Sequence, residues 1–493
     1  MLEVKLPDVG TWIGGARVAA GGADAEVVLD PATGAELGTV PNASAEDVGA
    51  AVAAARRAGE GAWGSATPRQ RSEALYRFHA ELAGMVERIV GVVVAETGCP
   101  VTLARGQQVG LPLKHLEYWA EAARRPELVP KAPVVSGRSD GSKVLGNWVV
   151  KREPYGVVAA ITPYNFPFLE NVMKIGPALA AGNTVVLKPS PFTPYSALLM
   201  AEAAAAAGLP AGVLNVVTGG ADVGNALVTA PGVDLVSFTG SGAVGSTILA
   251  AVAPRMTKVL LELGGKSALI VCDDANIALA ARIGFQNIAT HAGQGCVLTT
   301  RHLVANSVKD AYLERVRAIA GATVVGDPRD PKTGVGPLIR EAARERVERA
   351  VAGALEQGAT VVTGGERPDT GLGGFFYRPT ILDGVENTWP VAQQEIFGPV
   401  GVVIGYDTDD EAVALANASD FGLAGHVVSA QSGRAFEIAA RLKTGTVDLN
   451  GGPGFTNPGV PFGGYRQSGL GRENGTEGLD EFTQLKTIKY PAG

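Results

Sequence analysis

The sequence predicts an α/β protein: a doubly wound parallel sheet with helices on both faces, a second α/β lobe, and a projecting β-ribbon. Three observations carry that expectation. Across residues 157–265, short β-rich apolar runs alternate with Ala-rich helical patterns, as βαβ units require when both faces of a sheet are covered. The chain has 493 residues, more than one hydrophobic core usually supports. A glycine-rich turn, 240–245, follows one of the apolar runs and opens a helical pattern.

Along the chain, residues 47–125 read as amphipathic helices. Residues 129–151 read as a two-stranded ribbon turning at Ser139, Asp140 and Gly141. An isolated ribbon is marginal in water, so this one needs a neighbour and is expected to act as an oligomerisation arm. Strands of the first lobe are expected at 157–161, 184–187, 213–217, 235–238 and 259–261, and strands of the second lobe include 269–272 and 400–404. The Gly- and Pro-rich stretch 451–471 is the longest irregular segment, and functional loops tend to look like this. The expected division is 1–126 with 152–258 as the first lobe, 259–450 as the second with its loop 451–471, and 127–151 with 478–493 as arm and tail. Doubly wound sheets bind ligands beyond the carboxyl ends of their strands. The first suspects are therefore Asn165, Lys188, Gly219, the Gly240 loop and Glu262.

Composition narrows the function classes. A formal net charge of -7 offers no overall attraction to nucleic acid or anionic lipid. Cys99, Cys272 and Cys296 are odd in number and widely spaced, which argues against a disulfide framework or a Cys-based zinc site and for a reducing compartment, the cytoplasm. No metal is expected. Residues 1–11 do not read as a signal peptide, and the Ala-rich run 200–208 is too short for a membrane span and contains Glu202.

The glycines Gly240, Gly242 and Gly245 form a G-x-G-x-x-G after an apolar strand, where backbone can approach a pyrophosphate at a helix N-terminus. A plain tight turn reads the same way. Glu262 lies 262 − 240 = 22 residues further on, near the spacing of a ribose-binding acid. Spacing does not choose among a ribose ligand, a general base and a salt-bridged structural acid. Cys296 sits in HAGQGCVLTTR after Gly293 and Gly295, where a backbone free of bulky neighbours lets a substrate approach. A cysteine is more often a soft apolar residue than a nucleophile, and Cys272, inside ALIVC, reads as core. Cys99, in TGCPV, reads as a loop or helix-end residue.

The motifs ITPYNFP, VVLKPS, SFTGS, LELGGKS, GQGC, EIFGPV and PFGGYRQSGLGRENG occur in this order. In them the chain resembles the aldehyde dehydrogenase superfamily along nearly its whole length. The resemblance implies a Rossmann-like cofactor lobe and oxidation of an aldehyde to a carboxylic acid. In that scheme Cys296 attacks the carbonyl, while Asn165 and the Cys296 backbone N–H form an oxyanion hole. Glu262 activates the water that hydrolyses the resulting thioester. Lys174 and Glu473 match a pair linked to proton relay, and a structural ion pair is an equal reading. NAD is the implied cofactor, with NADP admitted. Its contacts would come from Ile161, Thr162, Pro163, Tyr164, Lys188, Ser190, Pro191, Gly219, Gly224, Phe238, Thr239, Gly240, Ser241, Val244, Leu263, Gly264, Glu395 and Phe397.

NAD-preferring relatives carry an acid three residues after the strand-end lysine, and here Pro191 stands there. A missing carboxylate weakens rejection of a 2'-phosphate. The tryptophan before the oxyanion asparagine is replaced by Tyr164. The substrate pocket implied by the resemblance draws on Phe166, Leu169, Glu170, Met173, Thr290, Gly295, Val297, Phe455 and Phe462. The expected tunnel is roomy and apolar, suited to medium-chain or aromatic aldehydes, although Glu170 does not suit it. The alternatives are a CoA-acylating semialdehyde dehydrogenase, against which Glu262 argues, and a catalytically silent relative. An alcohol dehydrogenase lacks support, since no zinc-ligand cluster appears. A homodimer or homotetramer is expected from the arm and the tail.

Overall fold

The computed structural model describes residues 4–454 and 456–491. Its first sheet runs, in spatial order, through Ala16–Val18, Thr11–Ile13, Leu214–Val216, Thr184–Lys188, Val157–Ile161, Leu235–Thr239, Lys258–Glu262 and Gly469–Leu470. The five central strands are parallel, and the chain order reverses between Val157–Ile161 and Leu235–Thr239, the kind of switch point at which such sheets bind ligands.

Alternation along one strand shows why helices cover both faces. Val157–Ile161 is buried throughout. Val158 and Ala160 enter a core shared with helices Pro68–Gly84, Val86–Thr97, Pro167–Ala180 and Tyr195–Ala206. Val157, Ala159 and Ile161 enter the opposite core, with helices Ala45–Glu60, Ala221–Thr229 and Gly242–Val252. A strand buried on both sides has no polar face, hence the continuous apolar run.

The second lobe is a seven-stranded sheet in the order Thr360–Thr363, Thr380–Asp383, Val400–Tyr406, Thr299–Ala305, Ser267–Val271, Ala424–Val428, Thr446–Leu449. All its neighbours are parallel except the first pair. It has its own core, which contains Cys272. The division expected between 258 and 259 is corrected: Lys258–Glu262 pairs residue for residue with Leu235–Thr239, so the parallel strands of the first sheet run on to Glu262 and the second sheet begins at Ser267. The loop expected to belong wholly to the second lobe also returns to the first, where Gly469–Leu470 pairs antiparallel with Leu261 and Glu262.

The ribbon is present as Leu128–Gly137 and Lys143–Pro154, and its turn is closed by an Arg138–Ser142 backbone hydrogen bond. The tail strand Thr483–Pro491 adds to its other edge, giving a three-stranded antiparallel sheet. This sheet leaves Leu128, Val134, Val135, Leu485, Ile488 and Tyr490 exposed. No helix among the described residues is long and apolar enough to cross a membrane.

Candidate active site

The strand Val157–Ile161 ends in a loop that Phe166 and Pro167 turn into helix Pro167–Ala180, with Pro167 at the first helical position, where a missing N–H costs nothing. Asn165 is thereby held at the strand's carboxyl end. Its Nδ2 donates to the Gln294 carbonyl at 2.9 Å, and its own carbonyl accepts from Gln108 Nε2 at 2.9 Å. A carboxamide has two N–H donors, so the second is left for a ligand.

Cys296 lies between helix Ile277–Ala289 and strand Thr299–Ala305, half-buried. His291, Ala292 and Gly293 approach it in three successive left-handed conformations, φ 49°, 52° and 73°. Such strain persists only where surroundings hold it, and it gathers at functional sites. A side chain at Gly293 would lie 2.1 Å from the Gly398 carbonyl, so glycine is required. The buried Gln294 side chain fastens the turn, donating to the His291 carbonyl and accepting from the Ile339 N–H, both at 3.0 Å. Burial pushes the Cys296 thiol well above its ordinary pKa, reinforced by the carboxylates of Glu170, Glu395 and Glu262. In the resting site the sulfur therefore carries its proton.

Glu262 ends its strand 3% exposed, and neither carboxylate oxygen has a hydrogen-bond partner. Burial and then Glu473 raise its pKa well above the usual carboxylate range, against the pull of Lys174. Lys174 and Glu473, 0% and 1% exposed, pair at 2.8 Å, and Lys174 also donates to Ser237 Oγ at 3.3 Å. Removing either partner would leave the other charge stranded, at about 3–5 kcal/mol. Glu473 is fixed by reciprocal backbone hydrogen bonds with Phe462. Glu170, one helical turn before Lys174, completes the cluster, its pKa raised to about 7 by burial and then by Glu473. Among the described residues, three buried carboxyl groups thus lie around the Lys174 ammonium, with Arg472 adding its pull on Glu262. A ribose-binding role for Glu262 does not fit this enclosed position.

At the switch point, the strand ends form a groove. Lys188 Nζ donates to the carbonyls of Pro189 and Gly219 at 2.8 and 2.7 Å, which leaves one N–H free, and burial lowers its pKa to about 8. Ser241 caps helix Gly242–Val252, and Val244 in its first turn is exposed. The first backbone N–H groups of that helix have no intrahelical partners, so the groove offers donors beside an uncovered apolar side chain. On the opposite wall, Glu395 Oε1 accepts from the Gly265 N–H at 3.0 Å, and a side chain at Gly264 would lie 2.2 Å from Glu395 Oε2. Tyr164 and Phe397 meet edge to face with centroids 5.9 Å apart, Phe397 at φ 55°. These features fit a dinucleotide: donors for phosphates and hydroxyls at the strand ends, and aromatic walls further in. The sequence reading missed Glu26, which the hairpin Ala25–Leu29 and Glu36–Pro41 brings against Gly220, facing Lys188 and Arg340. Among the described residues no group of three or more His, Cys, Asp or Glu could hold a metal.

A cavity of about 210 Å³ opens onto Cys296, lined by Asn165, Phe166, Leu169, Glu170, Met173, Gly295, Val297 and Phe462, all anticipated from the sequence. Thr290 is a correction: it caps the end of helix Ile277–Ala289 and does not line the cavity, because the left-handed turn after it redirects the chain. Phe455 lies outside the described residues. Gln107, Leu111, Pro453, Gly454 and Thr456 also line the cavity and were missed. The first two come from the helical segment before the ribbon, where no local pattern points to a site.

The whole-chain comparisons agree with this geometry. The model of the aldehyde dehydrogenase family matches residues 18–488. The 3-sulfolactaldehyde dehydrogenase of Pseudomonas putida is 37% identical over 494 aligned residues, covering 99% of both chains. The structure of a Mycobacterium tuberculosis aldehyde dehydrogenase complexed with NAD+ is 42% identical, with a TM-score of 0.91 over 97% of both chains. That of a Pseudomonas syringae aldehyde dehydrogenase mutant complexed with NAD+ and octanal is 36% identical, with a TM-score of 0.92 over 99% of this chain and 98% of the other. An oxidoreductase architecture with a cysteine, a buried glutamate and a strand-end groove, matched over the full length, has one reading: this chain belongs to the aldehyde dehydrogenase family.

Proposed function

We propose that this protein oxidises uncharged medium-chain or aromatic aldehydes to carboxylic acids, with NAD as cofactor, through a thioester on Cys296. The observation that carries the reading is the pairing of a half-buried thiol, facing an apolar cavity, with a nearby interior carboxylate that no protein group satisfies.

Cys296 Sγ attacks the aldehyde carbon as the thiol proton leaves to solvent, and Glu262, with both carboxylate oxygens unpartnered, is kept for the second half of the reaction. The free N–H of Asn165 Nδ2 and the Cys296 backbone N–H stabilise the oxyanion, each worth about 3–4 kcal/mol in comparable sites. When bound, the nicotinamide supplies the hydride acceptor that turns the adduct into a thioester. Lys188, Ser241, Glu395 and Phe397 are the residues that would hold the dinucleotide. Glu262 then takes a proton from water, the hydroxide adds to the thioester carbon, and the C–S bond breaks, the departing thiolate taking that proton from Glu262 to restore the thiol. Glu26 supports NAD over NADP, since its carboxylate beside Lys188 opposes an added 2'-phosphate.

The substrate class follows from the cavity lining. Apart from Glu170 the described lining residues carry no charge, and none is basic. The Pseudomonas putida relative acts on an anionic aldehyde, for which this wall offers no counter-charge. In a panel assayed with NAD and with NADP, hexanal, octanal and benzaldehyde should exceed acetaldehyde by about tenfold or more in kcat/KM, which is about 1.4 kcal/mol. Activity confined to acetaldehyde or to charged semialdehydes would overturn the substrate assignment. An acyl-CoA product on adding CoA would favour thiolysis over hydrolysis.

The exposed apolar residues of the three-stranded sheet support self-association as a dimer or tetramer, and the free cysteines support a reducing, cytoplasmic setting. Light scattering should return a mass of at least two chains, and a monomer would remove the oligomer from this reading.

A further inference from the structure

Glu170 is the feature that the apolar-tunnel reading does not absorb. It is only 9% exposed, yet it faces the same cavity as Cys296, and its Oε2 has no hydrogen-bond partner. The cation that acts on it among the described residues, Lys174, sits a turn further along the same helix and is engaged by Glu473 at 2.8 Å and Ser237 at 3.3 Å. The cavity's described lining provides no lysine, arginine or histidine to offset an ionised Glu170. A buried carboxyl group with one oxygen unpartnered, helped by the Thr239 hydroxyl nearby, normally costs stability, and at a cavity wall that cost is explained if the group acts on what enters.

We propose that Glu170 is a charge discriminator, a specificity-determining residue that rejects aldehydes bearing a carboxylate or sulfonate while admitting neutral ones. The inference rests on the neutral-substrate reading above and assigns its cause to one side chain. Two like charges enclosed in a cavity of this size repel across a few ångströms of low-dielectric space, where water screens them poorly. A neutral alkyl or aryl tail meets apolar lining there, including Leu111, Phe166, Leu169, Met173, Val297 and Phe462.

Ionisation of Glu170 then sets how strongly the site discriminates. The groups that face it are Lys174 on its own helix, Glu473 after the loop, Glu262 at its strand end, and Cys296. Burial and then Glu473 push its carboxyl up to about 7, so rejection of anions should strengthen as pH rises through neutrality, where the carboxylate form takes over.

The test compares 4-oxobutanoate with its methyl ester, two aldehydes that share a chain and differ in one charge. Wild-type protein and Glu170→Gln are assayed from pH 6 to pH 8. The readout is the ratio of kcat/KM for the anion to that for the ester, which cancels any loss common to both. Expected are a wild-type ratio well below one that falls further with pH, and a rise of about tenfold or more in the Gln variant with little pH dependence. The wild-type pH arm stands even if the variant does not fold. A wild type that prefers the ester, with a ratio unchanged in Glu170→Gln, would overturn the discriminator alone. A wild type that prefers the anion would overturn both the discriminator and the neutral-substrate reading.

Discussion

Alanine in place of Cys296 should lower aldehyde oxidation by at least about 10⁴-fold, measured as reduced nicotinamide formed at saturating cofactor, while leaving the protein folded. The size of the loss follows from what the sulfur does. A covalent adduct divides one difficult oxidation into two easier steps, and removing the nucleophile of such a unit costs nearly everything the unit provides. What survives is the contribution of binding and of the Asn165 donor. Stability should be spared because Cys296 is half-buried at a cavity wall, and the turn before it is held by Gln294 and Gly293 rather than by the thiol. The melting temperature should therefore move by only a few degrees. A variant that keeps more than a tenth of wild-type turnover would exclude the thioester route. A wild type that is itself inactive toward every aldehyde of the panel would point to the catalytically silent alternative.

Much of this site was legible before the fold was known, and the reason is physical. The strand Val157–Ile161 is buried on both faces, so its sequence is an uninterrupted apolar run whose end marks where a ligand can sit. Lys188 and Glu262 follow such runs directly and Asn165 follows one by four residues, and the structure brings their strand ends along one edge of the sheet. Other features depend on contacts that no local pattern encodes. Lys258 opens a strand with a charge, and only its pairing with Leu235 assigns it to the first sheet. The resemblance places Thr290 at the cavity, but His291 and Ala292 adopt left-handed angles that non-glycine residues rarely take. Gln107 and Leu111 reach the cavity from a distant helical segment. Glu26 reaches the cofactor groove from an N-terminal hairpin. The direction of Glu170 is set by the rotation of helix Pro167–Ala180, which the packing of Phe168, Val172, Ile175 and Leu179 into the first lobe's core decides and the identity of its neighbours in sequence does not.

Glutamine at position 262 should separate the two halves of the reaction. The first half needs Cys296, the oxyanion donors and the hydride acceptor, whereas release of the acid needs a base for water. The variant should give a burst approaching one reduced nicotinamide per active site and then a steady rate lower by about 10²–10⁴-fold, the usual contribution of a positioned general base. Intact-mass measurement after the burst should find an acyl group on the Cys296 peptide. The pH dependence supplies an independent check on the same residue. Burial holds the Glu262 carboxyl well above its ordinary pKa of 4.5, so its base form is scarce at low pH and accumulates as pH rises. Wild-type deacylation should climb with pH accordingly, and the Gln variant should lose that limb because an amide does not titrate. Folding should not suffer, since Gln removes one of three carboxyl groups that compete for Lys174. Loss of the burst together with the steady rate would assign Glu262 to thiol activation instead. An unchanged steady rate would move the base to another carboxylate of the cluster, with Glu170, which shares the Cys296 cavity, first in line.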